Sequence, residues 1–286
     1  MIGWNSSTRW NALRSRVPTQ GVVAVPHAGL MDWVRLGSGP VPMVMVPPIS
    51  DGLWTVRQSA WRLAWRYRHV LGDVQLLALS RRRSIPSSYT VQDHARDYIA
   101  AVERLEWPPS IWEGVSAGGP VSQWVTVTRP DLVRGLILSV TMHRIGEQTR
   151  TVLRSWRTLA IQQRWPELYW SLVDYNARPR GLARLPLLRL PMYMIPPPVD
   201  AGRFIQMVNE LLDADTRDIL PLIRPRTLIL AGELDAIVPV EIPREMAALI
   251  PSSDLRIYEQ FGHAITNQLP DYLIQIRRFV RSIGQG

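Results

Sequence analysis

A mostly parallel α/β sheet covered by helices on both faces is the fold class predicted for this 286-residue chain. Three observations predict it. Short β-rich apolar runs alternate with longer amphipathic stretches, the pattern that strand–helix–strand crossovers produce. Met43-Val44-Met45-Val46 is apolar without a break, as a central strand buried on both faces requires. Gly114-Val115-Ser116-Ala117-Gly118 stands between the apolar step Ile111-Trp112 and a segment able to form a helix. The chain therefore turns sharply from strand to helix at a serine.

The elements follow in order along the chain. Met31 to Leu36 reads as a strand closed by the turn Gly37-Ser38-Gly39-Pro40. Trp54 to Arg68 has helical spacing with Trp54, Trp61 and Trp65 on one face; Trp61 and Trp65 are expected in the core. Val74 to Leu79 is the next strand. Val91 to Leu105 is a helix with Ile99 and Val102 on its apolar stripe and Thr90 as N-cap. Val121 to Thr128 is β-branched and a poor helix in isolation. It is expected to be helical through packing against the sheet, and to stop before Pro130. Leu136-Ile137-Leu138, Thr227 to Ala231 and Leu255 to Tyr258 are strands, and Tyr272 to Val280 is the closing helix.

One interval breaks this rhythm. From Thr141 to Pro225 no strand is evident, although a crossover needs only about 20 to 30 residues. The surplus is rich in Trp, Tyr, Arg and Pro, and its first half clusters Trp156, Trp165, Tyr169, Trp170 and Tyr175. The expected organisation is a core of residues 1–140 and 217–286 with an inserted, mainly helical cap at 141–216. Leu185 to Pro198, with its repeated prolines, is expected to be a loop or hinge.

Composition narrows the chemistry. The apolar share of 46% and a mean hydropathy near zero fit a soluble globular protein, and no run approaches the length of a membrane span. The N-terminal stretch lacks the basic start and apolar run of a secretory signal. It is expected to be a solvated arm carrying Arg9, Arg14 and Arg16, and the expected compartment is the cytoplasm. There is no cysteine and no lysine, which excludes disulfides, thiolate catalysis and Schiff-base or Ser-Lys mechanisms. The net charge of +9 comes from arginines spread along the chain, the densest run being Arg81-Arg82-Arg83. No nucleic-acid signature accompanies them, so the charge is read as solubility with a preference for anionic surfaces or substrates.

A serine hydroxyl is a weak nucleophile and needs a base held by an acid. Asp235 lies just past the strand Thr227 to Ala231, at the carboxyl edge of the sheet where ligands bind in open α/β folds. Glu233 is its rival and falls less far into the turn. His263 follows the last strand and completes the order Ser116, Asp235, His263. In these roles His263 takes the proton of Ser116 and Asp235 orients the imidazole. The oxyanion needs backbone donors: the N–H of Ala117, and one from the loop Val46-Pro47-Pro48-Ile49-Ser50-Asp51-Gly52. Trp54, beside that loop, and His143, after a strand, are placed as pocket residues.

With these motifs, from Met31 to Val280, the chain resembles the α/β-hydrolase family, in its serine esterase and lipase branch with a helical lid. That resemblance implies an α/β-hydrolase fold and assigns the second oxyanion N–H to Ile49, since Pro47-Pro48 replaces the family's His-Gly and proline has no N–H. Ser80-Arg81-Arg82-Arg83-Ser84 replaces a Gly-containing Asp-Arg-x-Gly stretch, a departure expected to touch only the rim of the cleft. The implied activity is a carboxylesterase acting on small to medium esters without a cofactor or metal. The alternatives are a C–C bond or lactone hydrolase with the same triad, a catalytically degenerate ligand-binding member, and an enzyme acting at interfaces. The expected partner is a small-molecule ester, with a homodimer left open and nucleic acid not expected.

Overall fold

In a computed structural model of the chain, residues 17–27, 29–177, 186–268 and 270–284 are described. The arm carrying Arg9, Arg14 and Arg16 lies outside them. The strands are β1 (Thr19–Val25), β2 (Gly29–Leu36), β3 (Val41–Val46), β4 (Val74–Leu79), β5 (Ser110–Val115), β6 (Val133–Ser139), β7 (Thr227–Gly232) and β8 (Ser253–Tyr258). They form one eight-stranded sheet in the order β1-β2-β4-β3-β5-β6-β7-β8. β1 and β2 pair antiparallel, as do β2 and β4; every other pair is parallel.

Strand periodicity divides the core into two layers. Met43 and Met45 of β3 face one layer with Ile111, Val115, Ile137, Leu228 and Leu230. Val44 and Val46 face the other with Trp112, Leu136, Leu138 and Ile229. The first layer is closed by α1 (Ala60–Tyr67) and α9 (Pro270–Gly284), through Leu63, Tyr67, Tyr272, Ile276 and Phe279. The second is closed by α2 (Val91–Arg104), α3 (Gly118–Thr128) and α7 (Glu241–Leu249), through Tyr98, Val102, Val121, Val125 and Met246. α2 begins in a reciprocal cap: Thr90 Oγ1 accepts from the Asp93 N–H at 3.2 Å, and Asp93 Oδ2 accepts from the Thr90 N–H at 3.0 Å.

Four expectations are corrected. β1 was not anticipated; it is an edge strand whose outer half is exposed, so pairing with β2 and not its own apolar pattern defines it. α7 is a further element that was not anticipated; its Pro243 stands at the third helical position, where the absent N–H costs no hydrogen bond. The first helix starts at Ala60, not Trp54, and buries Ala60, Leu63, Ala64 and Tyr67. Trp61 and Trp65 fall one position off that i, i+3, i+4, i+7 stripe and are each 69% exposed, not core. Finally, the described part of the proline-rich segment forms a 3-10 helix over Pro186–Met194 before it becomes irregular. The proline ring fixes φ near −65°, which a 3-10 turn accepts.

Between β6 and β7 the chain builds α4 (Glu147–Ile161), α5 (Trp165–Ala177) and α6 (Ala201–Leu212). α6 is bolted to the sheet's loops by buried polar contacts. Arg203 donates to Asp51 Oδ2 at 2.6 Å and to the carbonyls of Arg81 and Arg82 at 3.0 and 3.1 Å. Glu210 meets His94 of α2 at 2.7 Å, both buried. Burial is the first cause of two opposite shifts: the Glu210 carboxyl is pushed up to about 8, and the His94 imidazole well below its ordinary value. Arg81, Arg203 and Arg82 lower His94 further. Burial thus disfavours the charged form on both sides of this contact.

Candidate active site

Ser116 sits where β5 breaks into α3, with φ of +51°. A left-handed angle at a non-glycine residue is strained and persists only if its surroundings hold it. Two bonds do so: the Ser116 N–H donates to the Ser139 carbonyl at 2.9 Å, and the Thr141 hydroxyl donates to the Ser116 carbonyl. Gly118 is required by the same turn, because a Cβ there would lie 2.2 Å from the Val46 carbonyl oxygen. The serine is thus pressed against the loop that follows β3.

Asp235 and His263 arrive from the two neighbouring strand ends. Asp235 Oδ1 accepts from the N–H groups of Ile237 and Val238 at 2.8 and 2.9 Å, which fixes the carboxylate in its turn. Gly232 lets the loop after β8 come close; a Cβ there would lie 2.5 Å from the carbonyl oxygens of Phe261 and Gly262. His263 Nδ1 then lies 2.7 Å from Asp235 Oδ2, and its Nε2 lies 3.0 Å from Ser116 Oγ. A carboxylate can only accept, so Nδ1 carries the proton and Nε2 is left to accept from the serine hydroxyl. All three residues are buried. Glu233, the rival acid, is exposed.

Ser116 and His263 open into a cavity of about 500 Å³ whose lining includes Ile49, Trp54, Leu63, Val140, Trp156 and Tyr169. Trp54 packs against Tyr169 with ring centroids 5.0 Å apart. Ile49 begins a 3-10 turn, Ile49–Gly52, directly after Pro48. Among the described residues neither the Ile49 nor the Ala117 N–H is taken up by a protein acceptor.

His143 does not belong to the pocket. It is fully buried outside the cavity lining, with Nε2 3.2 Å from Glu245 Oε2 on α7. Burial lowers its pKa from the ordinary imidazole value. The arginine run is also corrected: of the three, only Arg83 is exposed. Arg81 is 3% and Arg82 6% exposed. Arg81 donates through Nη1 to the Pro47 carbonyl at 3.1 Å and through Nη2 to the Ala117 carbonyl at 2.7 Å. One guanidinium therefore ties the loop bearing Ile49 to the turn bearing Ala117. Asp51 completes the brace by accepting from the Arg81 N–H at 3.0 Å and from Arg203. Nothing local in an arginine-rich chain distinguishes this guanidinium from those at the surface. Among the described residues no group of three or more His, Asp or Glu side chains converges as a metal ion would require.

Residues 58–266 match the family model for the alpha/beta hydrolase fold. The chain belongs to the α/β-hydrolase family. This α/β-hydrolase is 25% identical over 185 residues to a pimeloyl-[acyl-carrier protein] methyl ester esterase of Vibrio atlanticus, spanning 60% of this chain and 71% of that protein. Its fold superposes on an esterase from Exiguobacterium antarcticum with a TM-score of 0.72 at 18% identity, covering 92% of this chain and 100% of the other. A thermophilic esterase from Thermogutta terrifontis gives a TM-score of 0.70 at 18% identity, with coverage of 93% and 99%. Among the described residues of this α/β-hydrolase, no helix is long and apolar enough to cross a membrane.

Proposed function

We propose that this α/β-hydrolase is a serine carboxylesterase that cleaves small to medium carboxylic esters through an acyl-serine intermediate. The observation that carries the reading is the continuous line Asp235 Oδ2, His263 Nδ1, His263 Nε2, Ser116 Oγ, with steps of 2.7 and 3.0 Å at the wall of an apolar cavity. Ser116 Oγ attacks the ester carbonyl while its proton passes to His263 Nε2. Asp235 keeps the imidazole in the required tautomer and stabilises the imidazolium. The oxyanion is received by the N–H groups of Ile49 and Ala117, neither of which meets a protein acceptor among the described residues. The leaving alcohol departs with the proton from His263. Water, deprotonated by the same imidazole, then attacks the acyl-serine, and the acid leaves as Ser116 regains its hydrogen.

Residues 141–216 act in this reading as a helical cap over a core of 1–140 and 217–286, with Trp156 and Tyr169 giving the cavity its outer apolar wall. The Vibrio atlanticus relative is named as acting on a methyl ester, which supports an ester as the substrate class. The test is turnover of p-nitrophenyl acetate to octanoate, with fluorophosphonate labelling of the wild type and of Ser116→Ala. Ser116→Ala is expected to lose turnover by about 10⁴-fold or more, and to lose the label. Unchanged turnover in the variant refutes the mechanism. A lactone or vinylogous diketone consumed faster than every ester moves the reading to another bond.

A further inference from the structure

Two guanidiniums reach the cavity that contains Ser116 and His263. Arg62 and Arg66 stand one turn apart on α1, and both line that cavity. Among the described residues neither forms a salt bridge, whereas Arg57, Arg82, Arg83 and Arg203 do. Arg62 Nη2 donates to Ser59 Oγ at 3.0 Å, and its guanidinium lies 5.9 Å from the Trp54 ring centroid. Arg66 Nη2 donates to the Tyr272 hydroxyl at 3.2 Å, while its buried Nε–H has no acceptor.

The nearby carboxylates are already engaged. Glu113, buried in β5, makes no direct hydrogen bond with Arg66 although its charge acts on that guanidinium, and it accepts from the hydroxyls of Tyr67, Ser139 and Tyr272. Asp51, the acid in the cavity lining, is held by Arg203 at 2.6 Å. The cavity thus has two guanidiniums in a lining that is largely apolar and whose one acid, Asp51, is already paired. A planar, forked cation favours a carboxylate, because the bond is charge-assisted and can be bidentate.

Resting on the esterase reading above, we propose that the natural substrate is an ester bearing a second, ionised carboxylate, and that Arg62 and Arg66 bind that carboxylate. The site is then selective for half-esters and related anionic esters over neutral ones of equal length. The esterase chemistry itself is unchanged; the arginines act on binding.

The test compares kcat/KM for p-nitrophenyl hydrogen adipate with that for p-nitrophenyl hexanoate. A second pair, 4-carboxyphenyl and 4-carbamoylphenyl hexanoate, places the charge on the alcohol side. In at least one pair the wild type is expected to prefer the anionic member by about tenfold at low salt, or about 1.4 kcal/mol. The preference should shrink as salt rises. In Arg62→Gln and Arg66→Gln the anionic-to-neutral ratio should collapse toward one, and Arg62→Lys should retain part of it. The ratio cancels any general loss of fold or turnover. If Arg66→Gln fails to fold for want of its Tyr272 contact, the exposed Arg62 still decides. Ratios near one in the wild type for both pairs, or ratios unmoved by Arg62→Gln, overturn the proposal. If the wild type hydrolyses no ester at all, the esterase reading fails separately. Calorimetric binding of adipate to wild type and Arg62→Gln then judges the anion site alone: weaker binding in the variant supports it, and equal or absent binding overturns it.

Discussion

Replacing Arg81 with methionine tests the brace behind the proposed oxyanion donors while leaving Ser116, His263 and Asp235 in place. The side chain keeps most of its length and apolar volume, but the bonds to the Pro47 and Ala117 carbonyls are lost. The backbone bond from Arg81 N–H to Asp51 survives. Each buried carbonyl left without its donor costs about 1–3 kcal/mol, so stability should fall by about 2–6 kcal/mol. The two carbonyls belong to the segments that carry the Ile49 and Ala117 N–H groups, and Pro47 lies two residues before Ile49. Losing one well-placed oxyanion donor costs on the order of 10²–10³ in kcat. A donor that is loosened rather than deleted should cost about 10²-fold, mainly in kcat with little change in KM. The assay is p-nitrophenyl butyrate turnover with the urea midpoint measured in parallel, at a temperature where circular dichroism shows the variant folded. A folded Arg81→Met enzyme with kcat within about twofold of wild type would refute the bracing role. Arg81→Lys should rescue only part of the loss, since an ammonium cannot span both carbonyls in fixed geometry.

Other expectations follow from the same contacts. Asp235→Asn should keep the fold yet lower kcat by about 10⁴-fold, because an amide facing Nδ1 favours the wrong tautomer; steady-state kinetics with a melting curve checks it. Gly118→Ala puts a Cβ against the Val46 carbonyl oxygen at 2.2 Å, so fluorophosphonate labelling should fall sharply, and wild-type labelling rates would contradict that close approach. Glu210 ties stability to pH. Its folded pKa, raised to about 8 by burial, means the unfolded chain releases a proton that the folded chain keeps, so this group's contribution falls as pH rises through that range. The depressed His94 opposes this only below about pH 6.5, where the unfolded imidazole takes up a proton. From about pH 6.5 to 8 the wild type should therefore lose about 1.5 kcal/mol, and Glu210→Gln should remove that slope. Parallel melting-temperature profiles for the two proteins would disprove it.

How much was legible from the residues depends on the range of the physics involved. The central strands, the capped helix after Thr90, the turn at Ser116 and the order of Ser116, Asp235 and His263 rest on neighbours in sequence: apolar periodicity, small residues at a tight turn, polar residues just past strand ends. Those signals act over a few residues, so they survive in the bare chain. The exposed Trp61 and Trp65, the burial of His143 against Glu245 and the bracing by Arg81 were not legible there. Each is decided by which partner another part of the chain supplies, as when Arg203 reaches Asp51 across 152 positions. An arginine carries the same donors wherever it stands, and only packing determines whether they meet a carbonyl, a carboxylate or an open cavity. Helix phase has the same character, because one residue of offset moves a tryptophan from core to solvent. Local chemistry thus settled what kind of fold and motif this chain carries, while tertiary contact settled which of its many charged and aromatic side chains surround Ser116.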